Sequence, residues 1–431
     1  MRVVVAIFEQ LVPISGGGTP RTSHIVRSLV RRGHQVYVAA AFAVPASQAR
    51  QELGCTEVLP LPHVSRLDRR KMFKYLFVYP WNILRLAWYI ARVRPDCVVS
   101  HNSVAGFGAL LGKRLYRACV TVLDLTDLLF EYLDSYSKRW IQAVSGLGRA
   151  LERHAIRRSD HIVTISRAMR DILVSDHGIV STKVDIVHDG VDSAVFRPQD
   201  ATAIRRRVAP WAKHICVLHG VIDPQDGPEV LAEAAPLVLS RFPDTAFWWV
   251  GDGAAVPKLR ARAEELNLGD RFFFSGWVSQ KEVTGYINAS DLGIVVLPDV
   301  LSARGRVTLK EFEYWACGKA AVLPRLPALQ EIIPEGEASL FFQPGDSVDL
   351  ADKICLLLSD DERRTRMGES GQRLVLEHFE WRVLTDKLAE FCEGYADQRS
   401  AGGEAGTPSP KRWRDSASRF GGAGRFSGGA G

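Results

Sequence analysis

The stretch KEFEYWACGKAAV, residues 310–322, brings an ammonium and two carboxylates together at Lys310, Glu311 and Glu313, just ahead of a short apolar run. An exposed helix has no need of that order, and a buried one would resist it. A helix start that carries such groups suits an anion or a hydroxyl-rich ligand, because the first-turn N–H groups and the helix dipole already favour one there. A second such start follows the opening β-branched run RVVVAIFE, where SGGGTP with Gly16, Gly17 and Gly18 leads into RTSHIVRSLVRRGHQVYVAA. There Ile25, Val26, Leu29 and Val30 recur at helical spacing and QVYVAA resumes as a strand. The unit is strand, Gly-rich turn, helix, strand, one βαβ element of a parallel sheet.

The rest of the chain has to position these groups. DCVVSH (96–101), ACVTVLDL (118–125) and DHIVTIS (160–166) read as further buried strands. Turn residues and proline then crowd HDGVDSAVFRPQD, and the alternation begins again with HICVLHG, PEVLAEAAPLVLSRF, TAFWWVGDG and VPKLRARAEELNL. The pattern predicts an α/β protein with two open parallel sheets: a first domain over 1–195, a linker over 196–212 and a second domain over 213–375. A helix over 376–397 is expected to return to the first domain. Ligands of such sheets sit outside the carboxyl ends of the strands, so two facing sheets make a cleft.

Composition narrows the partners. With 431 residues, 46% apolar and 24% charged, the chain reads as a soluble protein of two domains. Its net charge of +6 is concentrated in residues 398–431, where six Lys/Arg face two Asp/Glu in a Gly- and Ser-rich tail expected to be disordered. The body is near neutral, which argues against nucleic acid as the main ligand. Seven cysteines without a C-x-x-C pair support neither a metal site nor a disulfide framework, and fit a reducing cytoplasm. MRVVVAIFEQL is too short and too quickly polar for a signal peptide, and no run of about 18 apolar residues suggests a spanning helix. Residues 66–95 stand apart, with eight Lys/Arg and one Asp interleaved with aromatic residues. That is the composition of an interfacial helix on an anionic membrane, with Arg69, Arg70, Lys71 and Lys74 as its expected contacts; a core helix with basic residues at its edge is the alternative.

Over about residues 1–395 the order of landmarks resembles glycosyltransferase family 4. The matching pieces include GGGTPRTSHIVRSLVRRGHQVYV, SDHIVTIS, KVDIVHDGVDSAVFRP, WWVGDGAAVPKLRARAEELNLGDRFFFSGWV, INASDLGIVVLP and KEFEYWACGK. The resemblance implies the GT-B architecture, two Rossmann-like domains facing across a cleft. It implies a retaining transferase that uses a nucleoside diphosphate sugar without a metal or other cofactor. No D-x-D occurs in the chain. The resemblance also implies a hydroxyl acceptor, lipid-linked or part of a cell-envelope glycan, met at the cytoplasmic face of the membrane by a peripheral protein.

In that family the glutamate at the position of Glu313 takes the ribose hydroxyls, and the Gly16–Gly18 amides face the departing diphosphate. Three departures are informative. A second family glutamate, eight positions upstream, is replaced by Gly305, and the loop GVIDPQDG has Val221 and Asp226 where the family has an arginine and a lysine. Arg304, Arg306 and Lys310 are the cations expected to compensate. Where other members have a histidine after a first-domain strand, this chain has Asp124, able to orient or deprotonate the acceptor hydroxyl or simply to cap a helix. His101, ending the preceding strand, is a second catalytic candidate. The lost groups leave two rivals open: a non-catalytic sugar-nucleotide- or glycan-binding partner of the same fold, and a sugar-nucleotide epimerase.

Overall fold

The computed structural model describes residues 1–14, 17–64, 71–130 and 139–400, with the side chains of 71–75, 139–144 and 400 excepted. Two wholly parallel sheets organise it. The first contains β1 (Arg2–Val12), β2 (Gln35–Phe42), β3 (Glu57–Pro60), β4 (Cys97–His101), β5 (Val120–Leu125), β6 (His161–Thr164) and β7 (Val184–Ile186), in the order β3-β2-β1-β4-β5-β6-β7. The second contains β8 (His214–His219), β9 (Thr245–Val250), β10 (Phe272–Phe274), β11 (Leu292–Ile294), β12 (Ala321–Pro324) and β13 (Ser339–Phe342), in the order β10-β9-β8-β11-β12-β13.

Strands such as β4, β5, β8 and β9 are buried along their whole length, as strands covered by helices on both faces must be. That is why they read as unbroken apolar runs. Strand order reverses between β1 and β4 in the first sheet and between β8 and β11 in the second. A crevice opens at each reversal, because the flanking connections leave in opposite directions.

Several contacts among the described residues join the two domains. Ser166 Oγ donates to the Gly305 carbonyl at 2.6 Å, and the backbone N–H groups of Arg167 and Ala168 donate to the Glu331 carboxylate. The last helix, Trp381–Ser400, crosses back onto the first domain: Asp386 pairs with Arg31, Glu393 pairs with Arg32, and Trp381 stacks on His24. Residues 401–431, most of the expected tail, lie outside the described residues. All seven cysteines are buried and unpaired.

Candidate active site

A cavity of about 290 Å³ lies between the carboxyl ends of the two sheets. Gly17, Gly18, Pro20 and Arg21 line it from the crevice after β1, with Thr126 and Asp127 after β5 and Asp189 after β7. From the second domain come His219 and Gly220 at the end of β8, Asp226, Trp277 and Val278, and the run Arg306–Lys310 with Glu313 after β11. Both strand-order reversals therefore open onto one space. A smaller cavity of about 210 Å³ adjoins it, shares Glu313, and reaches His24, Asp192 and Trp381.

The helix Leu309–Ala316 explains its two glutamates separately. Thr308 is its N-cap, and Glu311 closes a capping box, accepting from the Thr308 N–H at 2.7 Å and from its hydroxyl. Glu311 is thus a structural cap, fully buried, and burial pushes its carboxyl up to about 7. Glu313 lies two residues on and faces the cavities. Burial drives its carboxyl up to about 8, and the nearby Lys310 offsets only part of that. His219 Nε2 lies 3.2 Å from Glu313 Oε2, outside hydrogen-bond alignment. Burial and the Lys310 charge push His219 down to about 3. At neutral pH the contact is therefore a protonated carboxyl against a neutral imidazole, not an ion pair.

The three compensating cations separate. Arg306 and Lys310 line the cavity, whereas Arg304 is half-exposed, outside the lining, and pairs with Asp299 at 2.6 Å. Arg304 is therefore corrected to a surface residue: the short helix Leu301–Arg304 turns it outward. Asp226 lies between the other two cations, 2.9 Å from Arg306 Nη1 and 3.7 Å from Lys310 Nζ. Burial raises its carboxyl, but the two cations outweigh that and hold it below its ordinary range. The acid that looked hostile to a diphosphate instead fixes the two side chains that can meet one.

Asp124 is corrected as well. It is internal to β5, not at its end, and is fully buried. Arg21 Nε and Nη2 donate to it at 2.9 and 2.8 Å, and His101 Nδ1 lies 2.9 Å from its other oxygen. Burial alone would raise its pKa, yet Arg21 and His101 bring it down to about 2. A carboxylate so engaged has no open face for an acceptor. His101 is buried beside it. Burial disfavours the imidazolium, but Asp124 outweighs that and raises its pKa. Its Nε2 has no hydrogen-bond partner among the described residues and presses on Gly18, where an added Cβ would sit 1.8 Å away. His101 therefore abuts the loop that lines the cavity, and is not itself in the lining.

Arg21 and Asp189 escaped the sequence reading. Arg21 is 1% exposed and bridges Asp124 to Asp189, donating from Nη1 to Asp189 Oδ1 at 3.1 Å. Asp189 lines the cavity. Burial drives it up to about 6, with Arg21 holding it from rising further. Arg21 had a weak signal, a position in the first turn after the glycines. Its acids lie 103 and 168 residues away, and nothing local pairs them.

Gly305 is packed shut: an added Cβ would lie 3.0 Å from Met169 Cα. The missing glutamate therefore leaves no open space behind it. Gly17 and Gly18 line the cavity, and Gly16 lies outside the described residues. So do Arg69 and Arg70. Lys71 and Lys74 fall on the helix Lys71–Val93, with their side chains outside the description.

Two Rossmann-like sheets with a cavity between their carboxyl edges define a GT-B protein. Sucrose-phosphate synthase from Thermosynechococcus elongatus superposes with a TM-score of 0.73, at 18% identity over 93% of this chain and 99% of that one. Anabaena HepE, solved with UDP and glucose, gives 0.71 at 17% identity over 91% and 99%. Residues 15–195 match the family model Glycosyltransferase Family 4, and residues 212–360 match Glycosyl transferases group 1. The chain belongs to glycosyltransferase family 4 and is a glycosyltransferase. Among its curated relatives is a GDP-mannose-dependent alpha-(1-6)-phosphatidylinositol monomannoside mannosyltransferase of Mycolicibacterium smegmatis, 26% identical over 58% of this chain and 67% of that one. Another is the sulfoquinovosyl transferase SQD2 of Arabidopsis thaliana, 25% identical over 89% and 72%.

Proposed function

We propose that this glycosyltransferase moves a sugar from a nucleoside diphosphate sugar to a hydroxyl, with retention at the anomeric carbon. The observation that carries the reading is the grouping of Glu313, Lys310, Arg306 and the Gly17–Gly18 turn around one cavity. Glu313 accepts from the two ribose hydroxyls, a task for a group with acceptor oxygens only once it is ionised. Arg306 and Lys310, held by Asp226, meet the diphosphate, joined by amides at the start of the helix Thr19–Arg31. They stabilise the charge that develops on the phosphate oxygen as its bond to the anomeric carbon breaks. The acceptor oxygen forms its new bond on the same face. Asp189, not Asp124, is the carboxylate placed to take the hydroxyl proton. No metal enters this scheme.

The acceptor in this reading is lipid-linked and is met at the cytoplasmic membrane face. The basic and aromatic run at 66–95 supports it, as does the relative whose name specifies a phosphatidylinositol monomannoside. No described helix is long and apolar enough to cross a membrane. Incubating the protein with radiolabelled UDP-, GDP- and ADP-sugars and a membrane lipid extract tests the proposal. Release of nucleoside diphosphate with label entering the lipid fraction is expected. Nucleotide binding without release from any donor would leave a binding protein.

A further inference from the structure

His101 ends β4 opposite Asp124 in the register of β4 and β5. Asn102, at φ 64°, then turns the chain into the helix Asn102–Leu115 without a loop, so the ring is held where strand order reverses. Its Nδ1 lies 2.9 Å from Asp124 Oδ2, but its Nε2 has no hydrogen-bond partner among the described residues, although His101 is only 4% exposed. The large majority of buried side-chain polar atoms are matched, so this one needs a reason. The ring points tip first at Gly18: a Cβ there would lie 1.8 Å from Nε2, and 2.5 and 2.7 Å from Cε1 and Cδ2. The Gly18 carbonyl is already engaged, accepting from the Thr22 N–H and hydroxyl, both at 3.0 Å. Gly18 is also the N-cap of the helix Thr19–Arg31 and lines the cavity. Nε2 therefore lies one backbone thickness beneath the wall where that helix presents its first N–H groups.

The neighbours decide what that nitrogen carries. Asp124, Glu9 and Arg21 are the ionisable groups that act on the ring, with Asp189 behind Arg21. Burial and Arg21 disfavour the imidazolium, but the acids outweigh them and hold His101 above the ordinary histidine value. Ionised Asp124 and Asp189 are then balanced by Arg21 and His101 together. The group is neutral as a whole, yet its positive end, an Nε2–H with no acceptor, faces the glycine turn. Elsewhere in the cavity the cations are matched by acids: Arg306 lies 2.9 Å from Asp226 and 3.6 Å from Asp127, and Lys310 lies 3.7 Å from Asp226. Two cations set against two acids leave no surplus for an anion. A positive charge under the turn supplies one.

We propose that His101 is a positioning residue of the diphosphate seat: its imidazolium, beneath Gly18, draws the diphosphate onto the amides of the Gly17–Gly18 turn. The proposal rests on the nucleoside diphosphate sugar reading and adds a third cation to it. It also gives position 18 its reason for being glycine, since any side chain there would displace the ring. Without the imidazolium, Asp124 and Asp189 face Arg21 alone, and a surplus negative charge lies near the anion. A unit charge a few ångströms away, at the effective dielectric of a protein, is worth about tenfold in affinity or more. Linkage is reciprocal, so a bound diphosphate should move the titration of the ring up by about one pH unit.

The test uses inorganic pyrophosphate, which offers no ribose to Glu313 and carries no base. Calorimetry on the full chain compares the wild type with His101→Asn, whose amide N–H can still donate to Asp124, and with Lys310→Ala. His101→Asn should bind pyrophosphate about tenfold or more weakly. If that variant melts early, the wild type decides alone, by NMR of histidine-labelled protein. The His101 ring should carry both N–H groups at about pH 7 and titrate about one pH unit higher with pyrophosphate bound. A merely structural histidine would ignore the ligand. Equal pyrophosphate affinity of the wild type and a folded His101→Asn overturns the proposal, as does a His101 ring that is neutral at about pH 7 or whose titration pyrophosphate leaves unmoved. Weaker binding by Lys310→Ala beside those results keeps the diphosphate reading standing without His101. Failure of the wild type to bind pyrophosphate also overturns the proposal; if nucleoside diphosphates fail as well, the donor reading falls with it.

Discussion

Replacing Glu313 with glutamine exchanges one oxygen for nitrogen and removes the carboxylate proposed to meet the ribose. The folded carboxyl titrates near 8 against an ordinary 4.5. Between those values the folded protein keeps a proton that the unfolded chain has lost, so this group erodes stability as pH rises through the window. At about 1.4 kcal/mol per pKa unit the loss is on the order of 4 kcal/mol by pH 8. The Gln variant should therefore melt higher than the wild type at about pH 8 and much like it near pH 5. A smaller loss from Glu311, confined to pH below about 7, should remain in both proteins. Ligand binding should move the opposite way. Ribose hydroxyls favour the ionised carboxylate, so wild-type affinity for a nucleoside diphosphate should climb toward pH 8 with release of a proton. A hydrogen bond to a charged group is worth roughly 1.5–3 kcal/mol, against about 1 for a neutral one. The variant should then bind about ten- to a hundredfold more weakly at pH 8, with little pH dependence. Calorimetry in buffers of different ionisation enthalpy measures both affinity and proton release. Equal affinity of the two proteins across the range would refute the assignment of Glu313 to the ribose.

Lys310→Ala should lower kcat/KM by about a hundredfold or more and cost less stability than a change at Asp226, because Arg306 still pairs with Asp226, read from initial rates and denaturant melts. Asp226→Lys, in contrast, does not restore a family lysine. It sets a third cation beside Arg306 and Lys310, and should cost roughly 3–5 kcal/mol of stability, as broken buried pairs do. Asp189→Asn should reduce kcat by about 10²–10⁴ with KM for the donor little changed. In the wild type the rate should fall as pH drops below about 6, where Asp189 takes up its proton, and the variant should lack that limb. A variant with wild-type kcat removes Asp189 from the chemistry.

Local patterning is what made the fold readable. Strands buried on both faces must be apolar throughout, so VVVAI, CVVS and AFWWV declare themselves without any neighbour's help. Helix starts are equally local, since a cap and its partner lie three residues apart; Glu311 follows Thr308 at that spacing. Strand-end placement then put Glu313, Lys310, Arg306 and the glycine turn at a cleft, because connections of a parallel sheet open only at its carboxyl edge.

The pairings that assign roles join residues scores of positions apart. Asp124 reads as an open carboxylate until Arg21, 103 residues earlier, and His101 close around it. Asp226 reads as an anion in a phosphate site until Arg306, 80 residues later, sits against it. Gly305 reads as a lost side chain until Met169 of the other domain fills its place. The amino-acid order by itself determined which segments are strands and helices and which ends carry charge, because backbone periodicity and capping act over a few residues. Which acid is neutralised and which can take up a proton were decided only by tertiary packing, because desolvation and ion pairing depend on distance in space.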